Sequence, residues 1–311
     1  MILVMDIGNT NIKAAVFDGE NIVQKWRCAT NLTMTSDQYG IVMADLFKYH
    51  GTDMKAIDGI MISSVVPTIN YTIEHMCRDY FGIEPKFLAP GIKTGLNIRY
   101  ENPRELGSDR IANAVAVATL YGGPAVFIDF GTATTYGVVS AQNEFMGGAI
   151  GPGLRMMNAA LATGTAKLPS IELVMPERVI GRTTVSNIQS GILYGYIGSV
   201  EKIVREMKRE MGCPSAKVIA TGGMAHMVKA NSDVIDEINP NLTLQGLRLI
   251  YEKNLIVRTR VDSYGSYNEE DRRKTLESGA QILSTDYPKK ADMTNVDYYV
   301  SFGDGSAKII K

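Results

Sequence analysis

Cysteine is scarce in this chain. Cys28, Cys77 and Cys213 are the only three among 311 residues, and no two form a CxxC pair. An odd, scattered set excludes a disulfide framework and reads as reduced, partly buried thiols of a cytoplasmic protein. Histidine is equally sparse. His50, His75 and His226 stand alone, with no HxxxH spacing and no neighbouring cysteine, which argues against a zinc site. An excess of one charge is missing too: 32 Lys and Arg against 33 Asp and Glu leave a net charge of −1. Neither nucleic acid nor an anionic membrane is therefore an expected partner. Long hydrophobic runs are absent. Met1 to Met5 is apolar but stops at Asp6 with no basic leader, unlike a signal peptide. The stretch from Ile111 to Ile128 is interrupted by Asn113 and Gly122-Gly123-Pro124, so it reads as a helix and then a strand, not a membrane span. Neither GxxxxGK[ST] nor GxGxxG occurs, so a bound nucleotide would need another kind of cradle.

What is present is ordinary for a globular protein: 45% hydrophobic residues, 21% charged, and a length suggesting about two domains. The thirty glycines are more informative, because they cluster beside Asp, Thr and Asn. Ile2-Leu3-Val4-Met5-Asp6-Ile7-Gly8-Asn9-Thr10-Asn11 aligns with Ala125-Val126-Phe127-Ile128-Asp129-Phe130-Gly131-Thr132-Ala133-Thr134 at an offset of 123 residues. Each is an apolar strand, an Asp-x-Gly turn and short polar side chains, followed by a second β-rich run at 12–17 or 135–140. Further strands end at Ser63-Ser64 and at Thr221-Gly222-Gly223. Amphipathic periodicity predicts helices over 36–50, 68–81, 185–212 and 224–230. This order predicts an α/β protein made of two duplicated halves facing each other across a cleft. The division falls near Gly122-Gly123-Pro124, giving domains 1–121 and 122–255, with 256–311 as a separate extension.

The paired turns suit a polyphosphate. Gly8 and Gly131 lack the Cβ that would keep backbone N–H groups away from phosphate oxygens. Asn9, Thr10, Asn11, Thr132, Thr134 and Thr135 are short donors, Lys13 is a cation two residues past the turn, and Asp6 and Asp129 can hold Mg²⁺, its water shell or a monovalent cation. One Asp-x-Gly turn alone reads as a plain hairpin. Two copies point to a two-sided phosphate clamp, and Thr221-Gly222-Gly223 adds a turn suited to a base or ribose.

These turns resemble the phosphate loops of the acetate and sugar kinase, Hsp70 and actin superfamily, whose halves are ribonuclease H-like, actin-like ATPase domains. Six motifs in order sharpen the likeness: Asp6 to Asn11, Glu101-Asn102-Pro103, Gly107-Ser108-Asp109-Arg110, Asp129 to Thr134, Gly147-Gly148-x-Ile150-x-Pro152-Gly153, and Leu244-x-Gly246-Leu247. Over about residues 1–255 the chain resembles type III pantothenate kinases, the first enzymes of coenzyme A synthesis. The resemblance implies that Asp6, Ile7, Gly8, Asn9, Thr10, Asn11, Ile12, Lys13 and Thr132 contact ATP. It places a K⁺ or NH₄⁺ site at Asp129 and pantothenate contacts at Tyr100, Gly107, Ser108, Asp109, Arg110 and Thr184. Asp109 becomes the catalytic base, ATP arrives with Mg²⁺, and the protein is a homodimer whose subunit interface completes the pantothenate pocket.

The chemistry is consistent with those assignments. Phosphoryl transfer to an alcohol demands positioning and charge balance more than a strong base, so an aspartate of ordinary pKa suffices. Arg110 has the fork geometry that grips a carboxylate, which pantothenate carries. Read without the resemblance, Ser108-Asp109 is equally a helix cap and a first-turn acid, and Asn102-Pro103-x-Glu105 a helix start. A nucleotide-binding accessory protein and a sugar kinase of the same superfamily are the alternative functions. Within the extension, 257–262 and 278–287 resemble the closing strand-helix-strand piece of a calcium-dependent phosphoinositide phospholipase C barrel. That piece contains no histidine and cannot close a barrel alone. It reads as an inert or partly ordered appendage, of gene-fusion or chimeric origin; the alternatives are that it packs on the kinase or recruits a partner.

Overall fold

The computed structural model describes residues 1–89, 92, 94–255, 258–260 and 282–284. They fall into two compact units, Met1–Ile250 and Tyr251–Lys311.

In the first unit, β1 (Ile2–Ile7) and β2 (Asn11–Asp18) form an antiparallel hairpin, and β3 (Asn21–Ala29) pairs with β2. β4 (Gly59–Ser64) lies parallel to β1 on its other side, and β5 (Lys86–Phe87) completes the order β3-β2-β1-β4-β5. A second sheet repeats the plan. β6 (Asn97–Ile98), β7 (Ala125–Phe130), β8 (Ala133–Val139), β9 (Glu144–Pro152), β10 (Lys217–Gly222) and β11 (Glu237–Ile238) assemble as β11-β10-β7-β8-β9-β6. The central strands β1 and β7 are buried on both faces, as a strand flanked by one antiparallel and one parallel neighbour under helices should be.

Helices supply the cover. On the first sheet Leu3, Met5 and Ile7 pack with Tyr39, Met43 and Phe47 of α1 (Ser36–His50) and with Ile73 and Met76 of α2 (Asn70–Met76). The first of these helices opens on a Thr35/Gln38 capping box and closes on Gly51, whose φ of 74° needs no Cβ. The predicted helix over 68–81 is segmented into a 3₁₀ turn from Pro67, α2, and a π-helical turn at 77–81 closed by left-handed Gly82. Helix α3 (Ser108–Leu120) lies between β6 and β7, and α4 (Leu154–Gly164) follows β9. α5 (Thr184–Glu210) buries Ile188, Ile192, Tyr196, Val200 and Val204, a stripe with one residue every four, against Val126, Ile128 and Phe130. α6 (Ala225–Ala230) and α7 (Leu242–Leu255) complete the set. β6 lies before residue 122 and pairs with β9, which lies after it.

Two features draw the halves together. Thr243 of α7 donates to Asn113 Oδ1 of α3 at 2.8 Å. A Cβ on Gly246 would stand 2.0 Å from the Ala112 carbonyl oxygen, so only glycine permits this backbone approach. The cysteines are free, with Cys77 buried. Among the described residues no helix is long and apolar enough to cross a membrane.

In the second unit β12 (Arg258–Arg260) pairs in parallel with β13 (Ile282–Ser284). Both strands fall in the two stretches expected to be strands. The segment between them, including the expected helix, lies outside the described residues.

Candidate active site

The two Asp-x-Gly hairpins are neighbours in space. Thr10 Oγ1 lies 3.0 Å from Thr132 Oγ1, a contact across 122 residues of chain between two exposed turn tips. Each tip is built from the same parts. In the first, Asp6 ends β1 with Lys13 as its register partner on β2 and Ser63 on β4. In the second, Asp129 ends β7 with Thr135 on β8 and Thr221 on β10. Gly8 N donates to Asn11 O at 3.0 Å, and Thr30 Oγ1 donates to Gly8 O at 2.6 Å, which ties the first tip to the end of β3. Ile7 and Ile12 point into the core, so only their backbone faces a ligand, whereas Asn9 and Thr10 are exposed.

Lys13 Nζ stands 3.6 Å from Asp6 Oδ2. Burial pushes the Asp6 carboxyl up to about 6, against the opposing pull of Lys13, and the charges of Asp109 and Asp129 push the same way. Burial also raises Asp109; the Arg110 N–H opposes this and Asp129 adds to it. Asp6, Asp109 and Asp129 therefore feel one another across a single cleft. The Asp109 carboxyl is thus held above the ordinary aspartate range, which the chemistry did not require, because it is taken out of water.

Asp109 sits in the first turn of α3, where the helix dipole favours an anion. Ser108 does not cap this helix. The cap is Gly107, which makes no side-chain bond, and the serine is spent elsewhere. Its hydroxyl lies 2.9 Å from Ser63 Oγ, 3.1 Å from the Ser64 N–H and 3.2 Å from the Ser64 carbonyl. Asp109 Oδ1 accepts from the Arg110 N–H at 2.8 Å. Arg110 is buried, its guanidinium 5.8 Å from the Tyr100 ring centre and 5.6 Å from that of Phe145. One Nη donates to the Tyr136 carbonyl at 3.4 Å, and Nε has no partner. A buried guanidinium with an unspent donor, framed by two rings, is a ready carboxylate receptor.

Asp129 Oδ1 and Thr135 Oγ1 are likewise buried and unpartnered. An orphaned carboxylate oxygen beside an orphaned hydroxyl suits a cation. Among the described residues no three His, Cys, Asp or Glu side chains gather into a metal cluster. Gly222, at φ 91°, packs where a Cβ would meet Asp129 Oδ1 at 2.6 Å, and Gly153 packs against the carbonyls of Gly131 and Thr132.

Thr184 lines a different part of the fold. It is exposed at the start of α5 and lines a cavity of about 780 Å³ with Met157, Leu161, Leu168, Asn187 and Ile188, between α4 and α5. Sequence reasoning named Thr135 among the turn donors but missed Phe145 and Ser63 as neighbours of the site. Ser63 was visible only as a strand end, and Phe145 had no signal beyond hydrophobicity.

Comparison with known proteins agrees with this geometry. A family model for type III pantothenate kinase matches residues 2–206, and one for calcium-dependent phosphoinositide phospholipase C matches 226–310. Type III pantothenate kinase of Geobacillus kaustophilus (strain HTA426) is 51% identical over 254 residues, covering 82% of this chain and 98% of the relative. That of Geobacillus thermodenitrificans (strain NG80-2) is 50% identical with the same coverage. Among solved structures, a Baf family protein from Campylobacter jejuni superimposes with a TM-score of 0.53 at 17% identity, over 81% of this chain and 98% of that one. Ethanolamine utilization protein EutJ from Carboxydothermus hydrogenoformans follows at 0.50 and 14%, over 80% and 89%. Those two likenesses speak for the fold alone. With two duplicated α/β halves, touching phosphate hairpins and half-identical relatives along most of its length, the chain belongs to the type III pantothenate kinase family.

Proposed function

We propose that the protein transfers the γ-phosphoryl group of ATP to the primary hydroxyl of pantothenate, giving 4′-phosphopantothenate and ADP, the first step of coenzyme A synthesis. The reading rests on one observation above all: the hairpin tips meet at Thr10 and Thr132 in the cleft where Asp109 senses Asp129. Backbone N–H groups of residues 8–11 and 131–134 hold the phosphates, with Lys13 neutralising oxygen charge near Asp6. Mg²⁺ arriving with ATP would be held from Asp6 through water, and K⁺ or NH₄⁺ at Asp129; both supply charge balance that three carboxylates and a polyphosphate require. Arg110 binds the pantothenate carboxylate with Tyr100 and Phe145 walling it. Asp109, with its carboxyl raised by burial, orients the attacking hydroxyl and accepts its proton late in the transfer. Thr184 reaches substrate from the wall of the α4/α5 cavity, which a second subunit closes in a homodimer. The enzyme acts in the cytoplasm, with no nucleic acid or membrane partner.

The test is direct. Purified protein is incubated with ATP, Mg²⁺ and K⁺ and offered pantothenate beside a panel of sugars and other hydroxy acids, with phosphorus NMR reading the product. Turnover of pantothenate alone is the expected result. Preference for a sugar, or nucleotide binding without turnover, overturns the reading.

A further inference from the structure

β4 is an apolar strand that ends in two serines, and the first of them is fully buried. A buried hydroxyl costs stability unless it is hydrogen-bonded, so its partners state its purpose. Ser63 is the register partner of Asp6 across the parallel β1/β4 pair. Its hydroxyl also lies 2.9 Å from that of Ser108, the residue immediately before Asp109. One side chain thus bridges the end of the first phosphate hairpin and the first turn of the helix that carries the base.

The hydrogen bonds of Ser108 stay within the protein. Its hydroxyl accepts from the Ser64 N–H at 3.1 Å, donates to the Ser64 carbonyl at 3.2 Å and meets the Ser63 hydroxyl at 2.9 Å. The residue before Asp109 is thereby held on the end of β4, beside the register partner of Asp6.

We propose that Ser63, acting through Ser108, is a positioning residue that fixes the Asp109 carboxylate relative to the phosphates held above Asp6. This rests on the kinase reading above. Aligning two elements is what phosphoryl transfer asks of the scaffold, since displacement of a reacting group by ~1 Å costs about 100-fold in rate.

The experiment measures kcat, the KM values and nucleotide Kd for wild type, Ser63→Ala, Ser108→Ala and their double variant, and compares Asp109→Asn with Ser63→Ala/Asp109→Asn. Each serine variant should lose about tenfold in kcat with nucleotide Kd within twofold. The double serine variant should lose no more than one alone, because both interrupt the same link. Ser63→Ala should add nothing to Asp109→Asn, whereas a merely stabilising hydroxyl would leave kcat untouched in every background. A kcat within twofold of wild type in Ser63→Ala, or losses that multiply with Asp109→Asn, overturns the proposal while the function stands. A wild type inactive on pantothenate overturns the function, and the positioning role with it.

Discussion

Gly107→Ala separates catalysis from folding more cleanly than any change at the base itself. Gly107 has φ −59° and ψ 140°, a conformation alanine adopts freely, so the backbone need not move. The new Cβ would stand 2.6 Å from Asp109 Oδ1, where ordinary contact begins at 3.4 Å, so the carboxylate must retreat by about 0.8 Å. Val65, the other side chain near that Cβ, is already at an ordinary 3.9 Å. Alanine is a poorer helix cap than glycine by up to ~1 kcal/mol, offset in part by the lower entropy of the unfolded chain. The net change in stability is thus within about 1 kcal/mol, a Tm shift of roughly 2–4 °C. A carboxylate displaced by that distance costs about 10- to 100-fold in kcat. Steady-state kinetics with pantothenate and a thermal melt on the same sample check both halves. A kcat within twofold of wild type would refute the claim that reaction depends on the Asp109 carboxylate where the fold puts it.

Other perturbations probe the remaining parts. Asp109→Asn should retain the fold and nucleotide binding while losing at least 100-fold in kcat, checked by calorimetry beside the rate assay. Arg110→Lys should raise KM for pantothenate at least tenfold with a smaller effect on kcat, because an ammonium cannot present a fork from between the two rings. Replacing K⁺ by Na⁺ should lower activity, and Asp129→Asn should abolish the difference between the salts. Because the folded state raises Asp6 from 3.8 to about 6, kcat/KM for ATP should fall as pH drops below about 6, where the free enzyme takes up that proton. The same shift sets the sign for stability. The folded protein binds the extra proton, so the nucleotide-free form should lose stability as pH rises from 3.8 to about 6, and Asp6→Asn should flatten that slope in a pH series of melts.

The hairpins were legible because their chemistry is local: an apolar strand, an Asp-x-Gly turn and short donors say what they are within ten residues, and repetition 123 residues later says it twice. The antiparallel hairpin at the heart of each sheet followed from that repeat. The stripe on α5 was equally plain, whereas α4 and α7 were not anticipated. The last of these is specified by contact, with Gly246 against Ala112 and Thr243 on Asn113, and neither partner is near in sequence. The same reason hid Phe145 and Ser63. A ring at the edge of a guanidinium and a hydroxyl beneath a carboxylate look like core until the chain folds. Ser108 shows the opposite case, since a serine opening a helix reads as its cap, and here the cap is Gly107 while the serine hydroxyl bonds to Ser63 and Ser64.

A crystal structure with a non-hydrolysable ATP analogue, Mg²⁺, K⁺ and pantothenate tests the account at its centre. It should show the γ-phosphate between residues 8–11 and 131–134, with the pantothenate hydroxyl within hydrogen-bond reach of Asp109. A nucleotide bound away from the meeting point of Thr10 and Thr132, or an acceptor hydroxyl out of reach of Asp109, would contradict it.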